Sequence, residues 1–387
     1  MSYDADWGVA TSKLNFYQET GKRETESTPT SSGNSRKPKI VNSVSDGIIT
    51  VPLPRNMLSV GGQYQHGKLT DTSANYVGHS EHTVYQYAAF VENEFAILEN
   101  LLLTLGMRMD EHETHGRHWS PRAYLVYHMT PELTFKGGVS KAFKAPSIRQ
   151  ISSGYGMSTQ QGNGVLYGDP DLKPETSVST EIGATYKRAN GFSASLTLFH
   201  TDFKNKITNY STNTIDPATG LWLWELENIG KARVKGIETG ITIPLHEKLK
   251  LSANYTYMHS KRLQDGENFG NGMSTKGYPL TMTPKHKANV RLDWQATDSL
   301  NLYTRLDYTG EQVNAGARTG YRNGARYTSP MLTMDVGGTY YVNENVRISA
   351  AVLNVGDVRR NPNHSLNEHW EVIEDGRRFW LGLTVDF

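Results

Sequence analysis

The sequence predicts an all-β protein, a transmembrane antiparallel β-barrel of about 16 strands. Three observations support this prediction. Apolar and polar residues alternate along segments of about ten residues. Short turns and long polar insertions alternate between these segments, and the chain ends on an aromatic residue. A soluble sandwich or propeller also contains alternating strands, but its strands are typically shorter and its loops do not segregate by length.

The alternation is regular after residue 177. One face of that segment carries a mostly apolar row, Val178, Thr180, Ile182, Ala184 and Tyr186. The same period recurs at 101–109, 192–198, 249–257, 288–294, 300–308, 332–340 and 346–352. A period of two places successive side chains on opposite faces of a strand. Each segment therefore has one face suited to lipid and one suited to a polar lumen.

The connections differ in length at the two ends of the strands. Tight turns lie at 98–100, 129–133, 188–191, 244–248, 296–299 and 342–345. Long polar insertions lie near 143–175, 206–221, 262–280, 312–327 and 355–376, and only the connection near 111–117 is short on that side. This segregation is typical of outer-membrane barrels, in which every backbone group within the lipid must be paired.

Composition narrows the class of protein. The 387 residues include 40 Lys and Arg against 39 Asp and Glu, so the net charge near +1 gives no support for nucleic-acid binding. The absence of cysteine excludes disulfides, thiolate nucleophiles and Cys-ligated metal centres. No apolar run approaches the roughly 18 residues that a membrane helix needs, and the first residues do not form a signal peptide.

Aromatic residues near strand ends fit the interfacial girdles of a barrel. The candidates for these girdles are Tyr186, Phe192, Trp294, Tyr303 and Tyr340. The last strand places one apolar row on a single face, Phe379, Leu381, Leu383, Val385 and Phe387. A terminal strand that ends in Phe resembles the signal that the outer-membrane assembly machinery recognises.

Several motifs then carry a family resemblance. They are "SKAFKAPSIRQ" (140–150), "GDPDLKPETSVSTEIG" (168–183), "FHTDFKNKI" (199–207), "ENIGKARVKGIE" (227–238) and "LNVGD" (353–357). In this order they resemble the barrel of TonB-dependent outer-membrane receptors, closest to the catecholate-siderophore and colicin I receptor group. The resemblance runs from about residue 40 to residue 387.

The resemblance implies a receptor for TonB-dependent uptake of ferric catecholate siderophores. Such receptors have about 22 strands around a plug, so residues 1–387 are expected to be the C-terminal portion of the barrel domain, without the plug, the TonB box and the first strands. The implied partners are the ferric siderophore, outer-membrane lipids and lipopolysaccharide, colicins, phage, and the TonB complex through the N-terminal region. No resident cofactor is expected, because the siderophore is the transported ligand.

Candidate ligand residues lie in the long loops. A ferric catecholate is an anion with aromatic faces, which favours Arg through charge and stacking, and Tyr or Trp through ring contact. The candidates are Arg149, Tyr155, Tyr167, Tyr210, Trp222, Arg318, Tyr321, Arg322 and Arg326. The stretch "YGDPDLKPETS" is expected to be architectural, because Pro170 and Pro174 fix the backbone before a ladder begins and Asp169 and Asp171 favour turns.

Histidines raise two alternatives. His112, His115 and His118 could be metal ligands, but a short turn is expected to scatter their imidazoles over both faces, so no metal site is predicted. Haem receptors of the same superfamily that resemble this chain usually carry a histidine between the "FKAP" and "PDLKPE" motifs. Residues 147–168 contain none, although His364 and His369 occupy another loop.

Two other classes stay open at this point. A passive porin-like channel would need no plug, but no constriction loop with opposed charges is identifiable. An outer-membrane hydrolase would need a triad or paired carboxylates on the rim, and no spacing of Ser, His and Asp singles out such a set. The sequence therefore predicts no catalytic residues.

Overall fold

The structure, a computed structural model, describes residues 1–24, 37–71, 81–159, 163–264, 276–313, 327–359 and 375–386. Antiparallel strands make up most of these ranges, as the alternation predicts. Within the described ranges, no helix combines the length and the apolar character needed to cross a membrane.

The first half of the chain begins with eight strands. They are β1 (Ser2–Asp6), β2 (Thr11–Lys22), β3 (Lys39–Leu53), β4 (Asn56–Thr70), β5 (Glu81–Leu98), β6 (Leu101–His112), β7 (Gly116–His128) and β8 (Leu133–Lys144). The connection that follows contains one helical turn and two short strands, α1 (Ile148–Ile151), β9 (Gly156–Thr159) and β10 (Gly164–Tyr167).

The second half holds the remaining strands. They are β11 (Glu175–Lys187), β12 (Ser193–Ile215), β13 (Trp222–His246), β14 (Leu249–Arg262), β15 (His286–Thr297), β16 (Leu300–Thr309), β17 (Gln312–Val313), β18 (Tyr327–Thr328), β19 (Met331–Tyr341), β20 (Val346–Leu353) and β21 (Arg378–Val385). Strands β12 and β13 are the longest, and both extend well beyond their neighbours on the long-loop side.

One sheet of 19 strands contains all of these except the β17–β18 hairpin. Its strands pair with their neighbours in chain order as an antiparallel meander, and β8 pairs directly with β11. Strands β9 and β10 stand apart, because β10 adds to the outer end of β13 in parallel at Gly164 to Leu166. The meander therefore holds 17 of the 19 strands, close to the predicted number.

The two ends of the meander are open. Among the described strands, β1 pairs only with β2 and β21 pairs only with β20. All neighbours in the meander are antiparallel, so an odd count of 17 strands makes β1 and β21 run in the same direction. These two edges cannot join in the antiparallel manner of the other pairs. The expected place of this wall in a larger barrel of about 22 strands stays a prediction.

The outer face of the wall is apolar. Exposed side chains such as Leu105, Val139, Ile182 and Leu196 repeat at every second position along neighbouring strands. On β21 the residues Phe379, Leu381, Leu383 and Val385 share this outer face, as predicted, whereas Phe387 lies outside the described residues. Water would not solvate so continuous an apolar surface, but lipid would.

The aromatic girdle prediction holds in part. Trp294 and Tyr340 are about half exposed on the outer face, and Tyr186 contacts Phe192 edge-on near a tight turn. Tyr303 was expected in the same girdle, and this expectation is wrong. Tyr303 faces the lumen with the Arg291 guanidinium 4.1 Å from its ring centre, because it is offset by one residue from the outward row of β16.

The lumen face is polar and internally paired. The Arg108 guanidinium donates hydrogen bonds to Asp110 and to Gln63, and Asp110 also accepts one from Gln86. Tyr124 donates to Glu181 at 2.6 Å from an adjacent part of the wall. Alternation thus separates a lipid face from a hydrogen-bonded lumen, as the sequence predicts.

Glycines on this lumen face lie beneath aromatic rings from the paired strand. In each case the ring approaches the position that a Cβ would take at the directly opposite residue: Phe90 over Gly61, Tyr124 over Gly138, Phe199 over Gly236 and Tyr303 over Gly337. The absence of a side chain lets the ring pack against the glycine backbone, which is the arrangement known to compensate for glycine in sheets.

Candidate functional site

Three of the sequence motifs meet at one point on the rim, where the Asn228 side chain joins them. Its Oδ1 accepts a hydrogen bond from the Lys173 N–H at 2.7 Å, and its Nδ2 donates to the carbonyls of Lys173 and Asn205, each at 2.8 Å. Beside it, Glu175 accepts a hydrogen bond from the Ile207 N–H at 2.8 Å. The "PDLKPE" stretch is therefore fastened to β12 and β13 by side-chain hydrogen bonds.

The local structure of that stretch agrees with the architectural interpretation. Asp169 accepts a hydrogen bond from the Asp171 N–H at 2.8 Å, which is an Asx turn. Leu172 is buried, and β11 begins at Glu175 immediately after Pro174. The prolines thus lie where no ladder hydrogen bond is required from their missing N–H.

Residues 145–174, called the rim segment below, fold back onto the wall. They contain α1, β9 and β10. Ile148 and Tyr155 pack on Leu69 at the outer end of β4, and Leu166 and Leu172 pack on Leu226 of β13. Met157 contacts both hydrophobic clusters, so the rim segment connects distant parts of the wall through one packed layer.

Three of the four candidate tyrosines lie within the described residues, and each of these donates a hydrogen bond to a carboxylate. They are Tyr155 to Asp71 at 3.1 Å, Tyr167 to Asp216 at 2.9 Å and Tyr210 to Glu225 at 2.6 Å. Their hydroxyl groups are thus engaged within the protein. What Tyr167 and Tyr210 can offer a ligand is the ring, whereas Tyr155 is only 5% exposed and holds the rim segment in place.

In two of these pairs, the pKa of one residue is shifted from its usual value. The hydrogen bond to Glu225, together with burial, raises the pKa of Tyr210 to about 12. Burial opposes ionisation of Asp216, but hydrogen bonds from Thr219 and Tyr167 outweigh it and hold the pKa of Asp216 below its usual value. Tyr210, Glu225 and Asp216 lie on the β12–β13 hairpin beyond the apolar band, and Tyr167 contacts this hairpin from β10, so both pairs fix the shape of the outer loop.

The remaining described candidates differ in exposure. Trp222 is 45% exposed at the start of β13, directly opposite Gly164 and next to the Tyr167–Asp216 pair. Arg149 lies on α1 and is partly buried, and its Nε has no hydrogen-bond partner within the described ranges. The structure thus brings Tyr167, Trp222 and Tyr210 to one hairpin and places Arg149 and Tyr155 at the other end of the rim segment. The candidates Arg318, Tyr321, Arg322 and Arg326 lie outside the described residues.

The three histidines of the β6–β7 tip do not scatter as predicted. The turn at 113–115 brings the His112 and His115 rings into a stack with centroids 4.8 Å apart, because residues three apart across a tight turn are close. His118 stacks instead on Phe143 at 4.0 Å. Among the described residues, no group of three or more His, Asp or Glu side chains could hold a metal ion. His364 and His369 lie outside those residues.

His112 is buried beneath the rim segment. Burial, reinforced by the neighbouring His115 and His118, lowers the pKa of His112 to about 4. His112 lies beyond the membrane-spanning part of β6, because the outward neighbours at this level are the ion pair Glu111 and Arg117. A cavity of about 410 Å³ adjoins it, and polar groups from the wall and the rim segment line the cavity, Asn42, Gln65, Gln86, Lys144 and Ser147.

Comparison with known proteins identifies the family of this chain. Residues 1–355 match the family model described as "TonB dependent receptor-like, beta-barrel". The chain belongs to this family. The match begins at residue 1, whereas the motifs alone suggested a start near residue 40. The location of the TonB-dependent receptor barrel is the bacterial outer membrane.

Individual relatives and solved structures agree with this family assignment. The chain is 36% identical to an iron-regulated outer membrane virulence protein of Vibrio cholerae over 100% of the chain and 56% of that protein. It is 32% identical to a ferric enterobactin receptor of Pseudomonas aeruginosa over 88% of the chain and 50% of that receptor. A crystal structure of a mutant of a ferric enterobactin receptor from that organism, in complex with enterobactin, superposes with a TM-score of 0.79 at 26% identity, covering 100% of the chain and 61% of the other.

This receptor barrel chain spans about half the length of the curated relatives it matches. The relative from Pseudomonas aeruginosa is named as a receptor, and the relative from Vibrio cholerae as an outer membrane virulence protein. Sequence reasoning missed the residues that hold the rim together, above all Asn228, Asp71 and Leu69. A signal for Asn228 was available, since it stands inside a motif that carries the resemblance, but nothing in the sequence shows what it contacts.

Proposed function

We propose that this chain forms the wall and outer loops of a receptor for TonB-dependent uptake of ferric catecholate siderophores. The observation that carries the proposal is the similarity along the whole chain to an iron-regulated outer-membrane protein and, over 88% of it, to a ferric enterobactin receptor. Uptake is proposed for the receptor as a whole, with energy supplied by the TonB complex.

The proposed ligand contacts follow from the geometry of the rim. A ferric catecholate is anionic and planar in its aromatic parts, so it would stack on the exposed Trp222 ring and on the faces of Tyr167 and Tyr210. Arg149 would supply charge from the other end of the rim segment. Arg318, Tyr321, Arg322 and Arg326 remain proposed contacts from a further loop, and Tyr155 is proposed to position the rim segment.

The proposal includes no resident cofactor and no catalytic residue. The iron complex is cargo, and the polar lumen is proposed to line its route inward. Outer-membrane lipids and lipopolysaccharide would surround the wall. Colicins and phage are proposed as further ligands of the same loops, since surface loops of a receptor are accessible from outside the cell.

A binding experiment tests this function. The protein is produced in the outer membrane of a Gram-negative host, and quenching of its intrinsic fluorescence is measured with ferric enterobactin as the probe. We expect saturable quenching that Arg149→Gln weakens by about tenfold, because one charged contact is worth about 1–3 kcal/mol. Arg117→Gln is the matched control, because Arg117 lies on the outer face in an ion pair with Glu111 and should leave binding unchanged.

Other outcomes separate the alternatives. Saturable binding of haem with no binding of ferric enterobactin would contradict the proposal and favour a haem receptor. Ion conductance across a planar bilayer without binding of either ligand would favour a passive porin-like channel. If Arg149→Gln and Arg117→Gln changed the affinity for ferric enterobactin equally, Arg149 would not be a ligand contact. Siderophore binding itself would then be judged from the wild-type protein.

A further inference from the structure

Three histidines at the β6–β7 tip lie against the rim segment. We call them the histidine cluster, and its members are His112, His115 and His118. His118 stacks on Phe143, two residues before the rim segment begins, with the two ring planes 14° apart. His112 is 4% exposed and lines the cavity of about 410 Å³ together with Ser147 and Ile148 of the rim segment. The start of the rim segment therefore covers the histidine cluster.

The near end of the rim segment, defined as residues 145–159, is attached to the wall by side chains. Among the described strands, β9 pairs only with β10, so the near end adds no strand to the meander. Ile148 and Tyr155 pack on Leu69, and the Tyr155 hydroxyl donates to Asp71 at 3.1 Å. The near end can therefore leave the wall without breaking any strand pairing of the meander.

The histidine cluster requires uncharged rings. The Nδ1 atom of His112 accepts a hydrogen bond from the Thr114 N–H at 3.2 Å, so an added proton on Nδ1 would set two donors against each other. The Nε2 atom of His115 is enclosed and has no hydrogen-bond partner within the described ranges. The His112 and His115 rings are stacked with centroids 4.8 Å apart, so two charged rings would repel each other at short range.

The carboxylates near the histidine cluster are already engaged. The titratable and charged neighbours are His82 and Tyr85 of β5, Arg108, Asp110 and Glu111 of β6, Glu113 of the turn, Arg117 of β7, Lys144 of β8, Glu175 of β11, and Asp71 and Tyr155 above the cavity. The carboxylate contacts are Asp110 with Arg108, Glu111 with Arg117, Glu175 with Lys144, Glu113 with the Tyr85 N–H and Asp71 with the Tyr155 hydroxyl. Wall strands β3 and β4 present only the neutral amides of Asn42 and Gln65 to the cavity. A proton on the histidine cluster therefore adds an unmatched charge close to Lys144.

We propose that the histidine cluster is an acid-sensitive latch, which holds the near end of the rim segment on the wall at neutral pH and releases it when the rings are protonated. Release separates Ile148 and Tyr155 from Leu69 and opens the cavity to the outer medium. Burial and the neighbouring histidines lower the pKa of His112 from 6.5 to about 4, so the folded state favours the neutral ring. The latch is therefore closed above pH 6.5 and opens as the pH falls toward 4.

This inference rests on the geometry of the rim and not on siderophore uptake. A protein that bound no ferric enterobactin would still carry the latch. Likewise, a latch that stayed closed in acid would leave the case for siderophore binding unchanged.

A distance measurement tests the latch, and the absence of cysteine in the chain makes site-specific labelling possible. Two exposed positions are changed to cysteine and spin-labelled, Ser153→Cys in the near end and Val91→Cys on β5. Pulsed electron paramagnetic resonance then reports the distance between the near end and the wall. We expect one narrow distance at pH 7.5, and a longer distance whose population is at least about tenfold greater at pH 4.5. The same distance distribution at both pH values would overturn the proposal.

Histidine substitutions in the labelled protein identify the group that takes the proton. His112→Gln cannot titrate, so we expect it to keep the narrow distance at both pH values. His128→Gln is the matched control, because His128 is exposed at the opposite end of β7 and should leave the opening unchanged. If His112→Gln opened at pH 4.5 as fully as His128→Gln, carboxylates such as Asp71 would be the acid-sensitive groups and the proposal would be wrong. The labelled protein without a histidine substitution still decides whether acid opens the near end if His112→Gln does not fold.

Discussion

Asn228 and Lys173 are joined by two hydrogen bonds, from the Lys173 N–H to Asn228 Oδ1 at 2.7 Å and from Asn228 Nδ2 to the Lys173 carbonyl at 2.8 Å. One amide side chain thus pairs with a backbone residue in the way that a neighbouring strand would. The same Nδ2 donates to the Asn205 carbonyl, and Asn205 has a φ of 56°, a left-handed conformation. The side chain therefore fastens the rim segment to the β12–β13 hairpin where a regular ladder has not yet begun.

Replacing Asn228 by Ala should loosen this junction. Three hydrogen bonds are lost, and the backbone groups left behind cost about 1–3 kcal/mol where water does not replace the amide. We expect faster hydrogen exchange in residues 168–176 and a lower midpoint of thermal unfolding. Asn209→Ala is the control, since Asn209 is exposed on β12 and makes no side-chain hydrogen bond among the described residues. Unchanged exchange at 168–176 in Asn228→Ala would contradict the assigned role.

Much of the wall could be predicted because its physics is local and periodic. Alternation at every second residue, tight turns and the proline boundary before Glu175 are properties of the chain itself. The wrong expectation for Tyr303 could also have been avoided from the sequence. Tyr303 is one residue away from the outward-facing Leu302, so alternation places Tyr303 on the lumen face. The openness of the sheet at β1 and β21 was not predictable, since pairing at the edges depends on distant strands.

The site was less predictable because its contacts join residues far apart in sequence. Tyr155 stands out as an aromatic in a polar loop, but its burial follows from Leu69 and Asp71, which lie on a different strand and connection. The stack of His112 on His115 depends on the three-residue turn, and periodicity does not describe turns. Residue type therefore identified candidate side chains, whereas their role as ligand contact or as support depended on tertiary structure.

Gly236 should not tolerate a side chain. A Cβ at this position would overlap the Tyr257 carbonyl oxygen and lie 2.7 Å from Cζ of Phe199. We expect Gly236→Ala to lower stability by about 1–3 kcal/mol through overpacking, measured as the temperature at which the folded, heat-modifiable band disappears on gels. Gly21→Ala is the matched control on β2, where no atom lies within 4 Å of the added Cβ. Similar midpoints for the two variants would show that the ring moves aside at little cost.

Acid should open the β6–β7 tip. Because the pKa of His112 is lowered from 6.5 to about 4, the folded state favours the neutral ring. The stability that this group contributes is present above pH 6.5 and is lost as the pH falls from 6.5 toward 4. We expect residues 108–118 to exchange amide hydrogens at least about tenfold faster at pH 4 than at pH 7, after correction for intrinsic rates.

Substitution of His112 separates this effect from general acid unfolding. His112→Gln cannot titrate, so the difference in corrected exchange between pH 7 and pH 4 should largely disappear at residues 108–118. Exchange in β15 and β16, far from the histidines, serves as an internal reference. A wild-type tip that is equally protected at both pH values would show that the His112 ring accepts a proton without cost.

Ionisation of Tyr210 should report on the tip of the β12–β13 hairpin. Its pKa is raised from 10.0 to about 12, chiefly because its hydroxyl donates a hydrogen bond to the Glu225 carboxylate at 2.6 Å. The stability from this bond is present below pH 10 and is lost as the pH rises through about 12.

The measurement is the ultraviolet tyrosinate titration of the wild type minus that of Tyr210→Phe, which isolates one phenol. We expect a midpoint near 12 that falls toward 10 in Glu225→Gln, because the amide no longer holds the proton in place by charge. A midpoint near 10 in the wild type would mean that water, and not Glu225, solvates the hydroxyl, and the hairpin tip would then have to be held by the Tyr167 to Asp216 bond.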